Sequence, residues 1–329
     1  MAELRYNPIS MEWVMVASHR QARPQMPKDW CPFCPSGGKV PEAGFDVLRY
    51  PNDFPALSTS PPAPDGVATG PLFQTRPAYG RCEVLLYTDR HDATLARLPE
   101  GNIHKLAAMW RDCYMDMAAD PQIKFAFIFE NRGELVGVTM PHPHGQAYGY
   151  SFIPKKIESE LAGAKAHFDA NGGGCLYCAL LREELRDGRR VLFENDCFVA
   201  YVPFFTQITY GIYVTAKRHA PHLGALNGRE LDALGEIVRD CSGMYDALFE
   251  GVLPFPYMMC MYNAPTGGSA DAYHHLHIKF FPPLRSPKVQ QFFASSETGA
   301  GAWCIPNCPE DKAEELRGAY RRYMESRLS

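Results

Sequence analysis

The decapeptide MPHPHGQAYG, Met140 to Gly149, sets two histidines and a glutamine at alternate positions. Side chains of an extended chain alternate with period two, so His142, His144 and Gln146 would share one face. A histidine there has two chemical uses. It can ligate a metal, or it can attack phosphorus as a neutral base and later leave, because imidazole basicity lies near neutrality. Two histidines on one strand are more often ligands or hydrogen-bonded polar groups than nucleophiles, so the motif alone leaves both open. The preceding run FAFIFENRGELVGVT is rich in apolar and β-branched residues and reads as strand, turn and strand.

Cysteine usage bears on the choice. Of eleven cysteines, two pairs stand as CxxC, Cys31 with Cys34 and Cys175 with Cys178. MAELRYNPIS has no apolar signal core, and without an export signal such pairs argue for metal binding or redox work before disulfides. The other seven, Cys82, Cys113, Cys197, Cys241, Cys260, Cys304 and Cys308, read as buried packing residues.

The two halves of the chain share four features in the same order. CPFC is matched by CLYC, YPNDFPAL by FENDCFVA, LLYTDRHDATL by IYVTAKRHAPHL, and HPHGQ by HLHIK, each at a spacing of about 130 to 145 residues. One duplicated unit explains this order. Each copy then offers two cysteines and two histidines, Cys31, Cys34, His91 and His142, and Cys175, Cys178, His219 and His275. Two thiolates with two imidazoles suit tetrahedral zinc, and four protein ligands leave no open position, so such sites are structural. In the second set His274 and His277 compete as ligands; a redox CxxC is the other reading of either pair.

With His142 on metal, His144 is left over as the nucleophile candidate, steadied by its anchored neighbour. Gln146 could donate its amide to a phosphoryl oxygen in the transition state. Gly145 would let a phosphate approach the backbone closely.

The elements that must hold these groups are mixed. Helical patterns fall at 104–119, 155–168, 229–249 after a cap at Asn227, and 310–328; CEVLLYT, KFAFIFE, RVLFEND, GIYVTAK and HLHIKFF read as strands. The class is α+β with mostly antiparallel strands. SPPAPDGVATGP reads as a surface loop and DANGGGC as a linker, dividing the chain into repeats at 1–170 and 171–329. The 329 residues are 46% hydrophobic and carry a formal net charge of -4. That balance supports a well-cored globular protein and excludes a nucleic-acid backbone as partner. No 18-residue window is unbroken and apolar, so the reading is soluble and cytoplasmic, with no membrane partner.

FENRG and PHPHGQ, with RYNPISMEWVMVASHRQARP, CPFC, YPNDFPAL and RHDATL, resemble the galactose-1-phosphate uridylyltransferase family of the histidine-triad superfamily over nearly the whole chain. The resemblance implies two fused histidine-triad-like repeats forming one mostly antiparallel mixed sheet, a half-barrel with flanking helices. It also implies a homodimer with sites near the subunit interface, no organic cofactor, and ping-pong transfer of UMP from UDP-glucose to galactose 1-phosphate through a uridylyl-His144 intermediate. Position by position it places phosphate contacts on Arg20 and Arg23, nucleoside contacts on Asn52 and Asp53, Asn131 near the phosphates, Gln146 on the transferred phosphoryl group and Glu297 on the hexose. Zinc falls on Cys31, Cys34, His91 and His142. The glutamate and three histidines that hold a second metal in some members become Glu160, Tyr262, His277 and Lys279, while Cys175, Cys178, His219 and His275 resemble the second zinc set of ADP-glucose phosphorylase. Gln291, Ser296 and Trp303 depart from the usual sugar-contacting residues, which leaves an ADP-sugar phosphorylase or adenylyltransferase, or another sugar 1-phosphate, as alternatives. A catalytically silent nucleotide-binding or zinc-stabilised protein would leave His144 and Gln146 idle.

Overall fold

The computed structural model describes residues 2–22, 30–41 and 44–328. The first half contributes strands β1 (Ala2–Asn7), β2 (Glu12–Ala17), β3 (Leu48–Pro51), β4 (Thr75–Pro77), β5 (Gly80–Leu86), β6 (Phe125–Arg132) and β7 (His144–Tyr150). The second contributes β8 (Val191–Glu194), β9 (Phe198–Tyr201), β10 (Ile212–Ala216), β11 (Tyr257–Tyr262) and β12 (His277–Phe281). Helices are α1 (Glu100–Ala118), α2 (Lys155–Ala170), α3 (Leu176–Asp187), α4 (Gly228–Asp246) and α5 (Pro309–Leu328).

Nine strands form one sheet in the order β3-β5-β7-β6-β11-β12-β10-β9-β8. The eight ladders between them are all antiparallel. Apart from the extra edge strand β8, the order is symmetric about the β6–β11 pair, where Ile128 faces Met261 and Phe129 faces Cys260. The strand that opens with HGQ thus has the HIK strand as its counterpart, and β5 has β10. β1 and β2, with β4, make a separate three-stranded sheet.

α1 and α4, the crossover helices of the two halves, pack together and close the largest core cluster. α1 buries Ile103, Leu106, Ala107, Trp110, Cys113, Tyr114 and Met117, the three-four spacing of a helix laid on a sheet. Their contact is close because Gly235 has no side chain: a Cβ there would lie 2.7 Å from Ile103 Cγ2 and 2.9 Å from its carbonyl oxygen. Asn227 does cap α4, accepting from the Glu230 amide while the Glu230 carboxylate accepts from the Asn227 amide.

Three expectations change. After β6 the run ELVGVT forms no strand: Glu134–Val136 is a short 3-10 turn between Gly133 and Gly137, with φ of 88° and 77°. Those left-handed glycines turn the chain away from the sheet edge. α3 is a helix that the sequence pattern does not announce, because its buried face is narrow, with only Leu181 and Glu184 inside. Cys82, Cys113 and Cys241 are buried as expected, but Cys304 and Cys308 are exposed.

Candidate nucleotidyl-transfer site

β7 starts at His144, and along it His144, Gln146 and Tyr148 alternate with Gly145, Ala147 and Gly149. His142 lies just before the ladder. Its Nε2 is 2.7 Å from the Thr88 carbonyl oxygen, which can only accept, so Nε2 carries the proton and Nδ1 keeps its lone pair. That Nδ1 lies 3.8 Å from Cys31 Sγ and 3.7 Å from Cys34 Sγ, and His91 Nδ1 lies 3.4 Å from Cys34 Sγ. One ligand atom from each of the four falls within 4.8 Å of the others, a grouping that can hold a metal ion. The cluster joins three segments, the 31–41 loop, the turn after β5 and the lead into β7.

The second set assembles in the same way. Cys178 Sγ is 3.7 Å from His219 Nδ1 and 3.3 Å from His275 Nδ1, and His219 donates Nε2–H to the Asp271 carbonyl at 2.8 Å. Cys175 completes the group. A hydrogen bond between the sulfurs pulls the Cys175 thiol down to about 3 and pushes Cys178 far above the thiol range. Alone the pair carries one negative charge, and a cation between the sulfurs allows two. The competing histidines are elsewhere: His274 Nδ1 meets the Pro221 carbonyl at 3.1 Å, and His277 Nδ1 the His275 carbonyl at 2.7 Å.

His144 uses the same local geometry as His277. Its Nδ1 is 2.8 Å from the His142 carbonyl oxygen, so Nδ1 holds the proton and Nε2 the lone pair. The surroundings differ. His144 is half-buried, beside Phe33 at 5.5 Å between rings, and lines two adjoining clefts. His277 is fully buried among Tyr177, Tyr213 and Tyr262. Beside it Lys279 donates to Glu160 at 2.7 Å and sits 4.2 Å over the Tyr262 ring. At the positions that the resemblance assigns to a second metal, Glu160, Tyr262, His277 and Lys279, this chain has a lysine ammonium. Only the first repeat presents its second histidine to a cleft.

The larger cleft, about 670 Å³, is lined by His144, Asn131, Arg132, Met140 and Glu130. The narrower one brings His144 and Gln146 together with Asn52, Asp53, Tyr50 and Phe33. Asp53 is held by Lys39 at 2.5 Å and by the Tyr50 hydroxyl at 2.7 Å, and Asn52 accepts from the Phe54 amide at 2.9 Å. Tyr148, missed in the sequence though two residues further along the same alternation, links Arg20 to Gln146. Arg20 Nη1 donates to its hydroxyl at 3.3 Å, and the hydroxyl donates to Gln146 Oε1 at 3.4 Å. With its oxygen engaged, Gln146 keeps its NH2 as the group that can donate. Arg23 lies outside the described residues.

Two assignments stand apart from the clefts. Gly145 points to the helix side, where a Cβ would meet the Tyr87 hydroxyl at 2.4 Å and the Phe129 carbonyl at 3.1 Å, so packing alone demands glycine there. Glu297 lies on the short helical turn Ser296–Ala300, accepts from the Ala294 amide at 3.0 Å, and lines neither cleft of its own chain. Its neighbours are used internally: Gln291 clamps both backbone groups of Thr209, Ser296 donates to the Ala302 carbonyl, and Trp303 packs on Phe293.

Behind the cleft Glu130 is buried, with the Tyr257 hydroxyl 3.3 Å from Oε1. Burial raises its carboxyl to about 7, against the opposing pull of Arg132. Between pH 4.5 and 7 the folded protein therefore keeps a proton that the unfolded chain has released. This contribution to stability is complete below about 4.5 and is lost as pH rises through 7, on the order of 3 kcal/mol in all. Glu130→Gln should flatten the fall of the urea midpoint over that window; an unchanged pH profile would refute the assignment.

A sheet with matching strands on either side of the β6–β11 pair, an HxH motif in each half and one of those motifs bordering two clefts, defines an α+β protein built from two similar halves. Comparisons with known proteins agree. The model of the galactose-1-phosphate uridyl transferase N-terminal domain matches residues 1–154, and that of the C-terminal domain residues 160–302. The chain belongs to the galactose-1-phosphate uridylyltransferase family. It is 37% identical over 320 residues to a galactose-1-phosphate uridylyltransferase of Thermotoga maritima, covering 96% of this chain and 98% of the relative. A solved uridylyltransferase superposes with a TM-score of 0.88 at 27% identity, over 97% of this chain and 99% of the other. An ADP-glucose phosphorylase from Arabidopsis thaliana, solved with ADP-glucose, shares the fold at a TM-score of 0.72 and 22% identity, over 96% and 98%. No helix among the described residues is long and apolar enough to cross a membrane.

Proposed function

We propose that the protein transfers a uridylyl group from UDP-glucose to galactose 1-phosphate in two displacements at His144. In the first, Nε2 attacks the phosphorus that carries uridine, an N–P bond forms, and the bond to the departing glucose 1-phosphate oxygen breaks. In the second, a phosphate oxygen of galactose 1-phosphate attacks the same phosphorus, and the N–P bond breaks. One observation carries this reading: the Nδ1–H of His144 is tied to the His142 carbonyl, so that Nε2 carries the lone pair, in the cleft that His144 shares with Gln146, Asn52 and Asp53. Arg20, reaching the site through Tyr148, supplies positive charge near the phosphates, with Asn131 on the other side of His144.

Zinc is the ion that two thiolates and two imidazoles select, and Cys31, Cys34, His91 and His142 would hold it with no position left for substrate. It supplies rigidity. The second set would hold a second structural zinc. No organic cofactor enters the reaction. A homodimer with sites near the subunit interface is supported by the exposed Phe204, Phe205, Phe292 and Phe293, and it gives Glu297 a sugar to contact that its own chain does not. The site and absence of a spanning helix fit a cytoplasmic enzyme.

End-point product analysis tests the substrates. UDP-glucose with galactose 1-phosphate should yield UDP-galactose; turnover of ADP-glucose with inorganic phosphate alone would replace this reading by a phosphorylase. Gln146→Ala should slow transfer by roughly 10²-fold, the scale of one transition-state donor, in kcat more than in KM. A loss confined to KM would demote Gln146 to ground-state binding.

A further inference from the structure

α4, α5 and the one-turn 3-10 helix Leu95–Arg97 enclose a cavity of about 470 Å³, separate in its chemistry from the clefts around His144. Arg97, Arg239 and Arg327 line it, one from each element. The acids near it are already engaged. Asp246 accepts from Arg132 Nη2 at 2.9 Å and from the Phe255 amide at 3.0 Å. Asp240 Oδ1 is shared by Arg239 Nε at 3.2 Å and Arg327 Nη1 at 2.9 Å. Glu236, a further acid, faces His104 at 2.8 Å. Among the described residues Arg97 has no ion-pair partner, so four guanidiniums, counting Arg132, stand against two aspartates.

Arg239 is the telling member. The residue is 5% exposed and lines the cavity, and among the described residues its guanidinium has one hydrogen-bond partner, Asp240, through Nε. A buried guanidinium with unpaired donors is costly unless an anion or water completes it. Its planar fork matches two oxygens of one tetrahedral anion, and Arg97 and Arg327 supply the remaining charge. The volume lies within the roughly 300–1,000 Å³ of small-molecule sites, more than a bare phosphate group fills, and Leu98, Ala247 and Leu253 give the rest of the wall an apolar surface.

We infer that this cavity is a second ligand site, which binds the phosphate monoester of a small organic molecule through Arg97, Arg239 and Arg327. It adjoins the catalytic cleft at Leu253, which lines both.

Isothermal titration of the full-length, zinc-loaded protein tests this, with glucose 6-phosphate and inorganic phosphate as probes. Glucose 6-phosphate should bind, more tightly than inorganic phosphate. Arg239→Gln and Arg97→Gln should each weaken it at least about tenfold, whereas Arg20→Gln, in the catalytic cleft, should leave it unchanged. Arg97 is exposed, so its variant keeps the test valid if loss of the buried Arg239 impairs folding. Binding that disappears in Arg20→Gln but survives in Arg97→Gln places the probe in the catalytic cleft and overturns the inference. So does an absence of binding, or a preference for inorganic phosphate.

Discussion

His144→Ala is expected to lower turnover by roughly 10⁶-fold, the loss seen when the member of a catalytic unit that forms the covalent bond is removed. The geometry makes the effect specific. His144 and His277 share the backbone anchor, each with Nδ1 on the carbonyl two residues before, so their strands present them alike. What separates them is access: one ring borders two clefts, and the other is closed in by three tyrosines and an ammonium. His277→Ala should therefore remove packing without removing the reaction centre. Label from UDP-glucose carrying radioactive α-phosphorus should stay on denatured, alkali-treated wild-type protein and be absent from the His144 variant. Label that persists in His144→Ala would place the nucleophile elsewhere. Since His144 makes no contact with the metal-binding sulfurs in this geometry, zinc content and thermal midpoint should stay near wild type.

The placement of His144 and Gln146 on one cleft was legible because period-two alternation survives in β7. The duplication was legible for the same kind of reason, since paired motifs in the same order become paired strands on either side of the β6–β11 seam. What the sequence hid depends on contacts between distant segments. No local pattern shows that the Tyr87 hydroxyl stands behind Gly145, so a packing requirement looked like a ligand requirement. ELVGVT has β-branched residues at strand-like spacing, but Gly133 is pressed against Pro256, where a Cβ would lie 2.9 Å from the proline Cβ, and its positive φ ends the ladder. In the sequence Arg239 is one arginine in a helix; the cavity it lines is made only when α5 and the 95–97 turn come together with α4.

Cys31→Ser and Cys175→Ser should separate the two clusters, with similar losses of metal and unequal losses of activity. Each removes one of four ligands, so each should release about one zinc per chain and lower the thermal midpoint by roughly 5 °C or more, the consequence of about 2–3 kcal/mol in a chain of this size. Activity divides them because of what the bound histidine holds. His142 lends its carbonyl to His144 Nδ1 at 2.8 Å, so loosening His142 releases the anchor of the proposed nucleophile and lets its ring turn. His275 lends its carbonyl to His277, which is fully buried. Cys31→Ser should thus lower kcat about 10- to 100-fold at temperatures where the protein is still folded, the usual scale for loss of a supporting ligand contact. Cys175→Ser should leave kcat near wild type. Equal kcat values in the two variants would show that the first cluster supports the fold without aiming His144, and full zinc in Cys31→Ser would remove that cysteine from the ligand set.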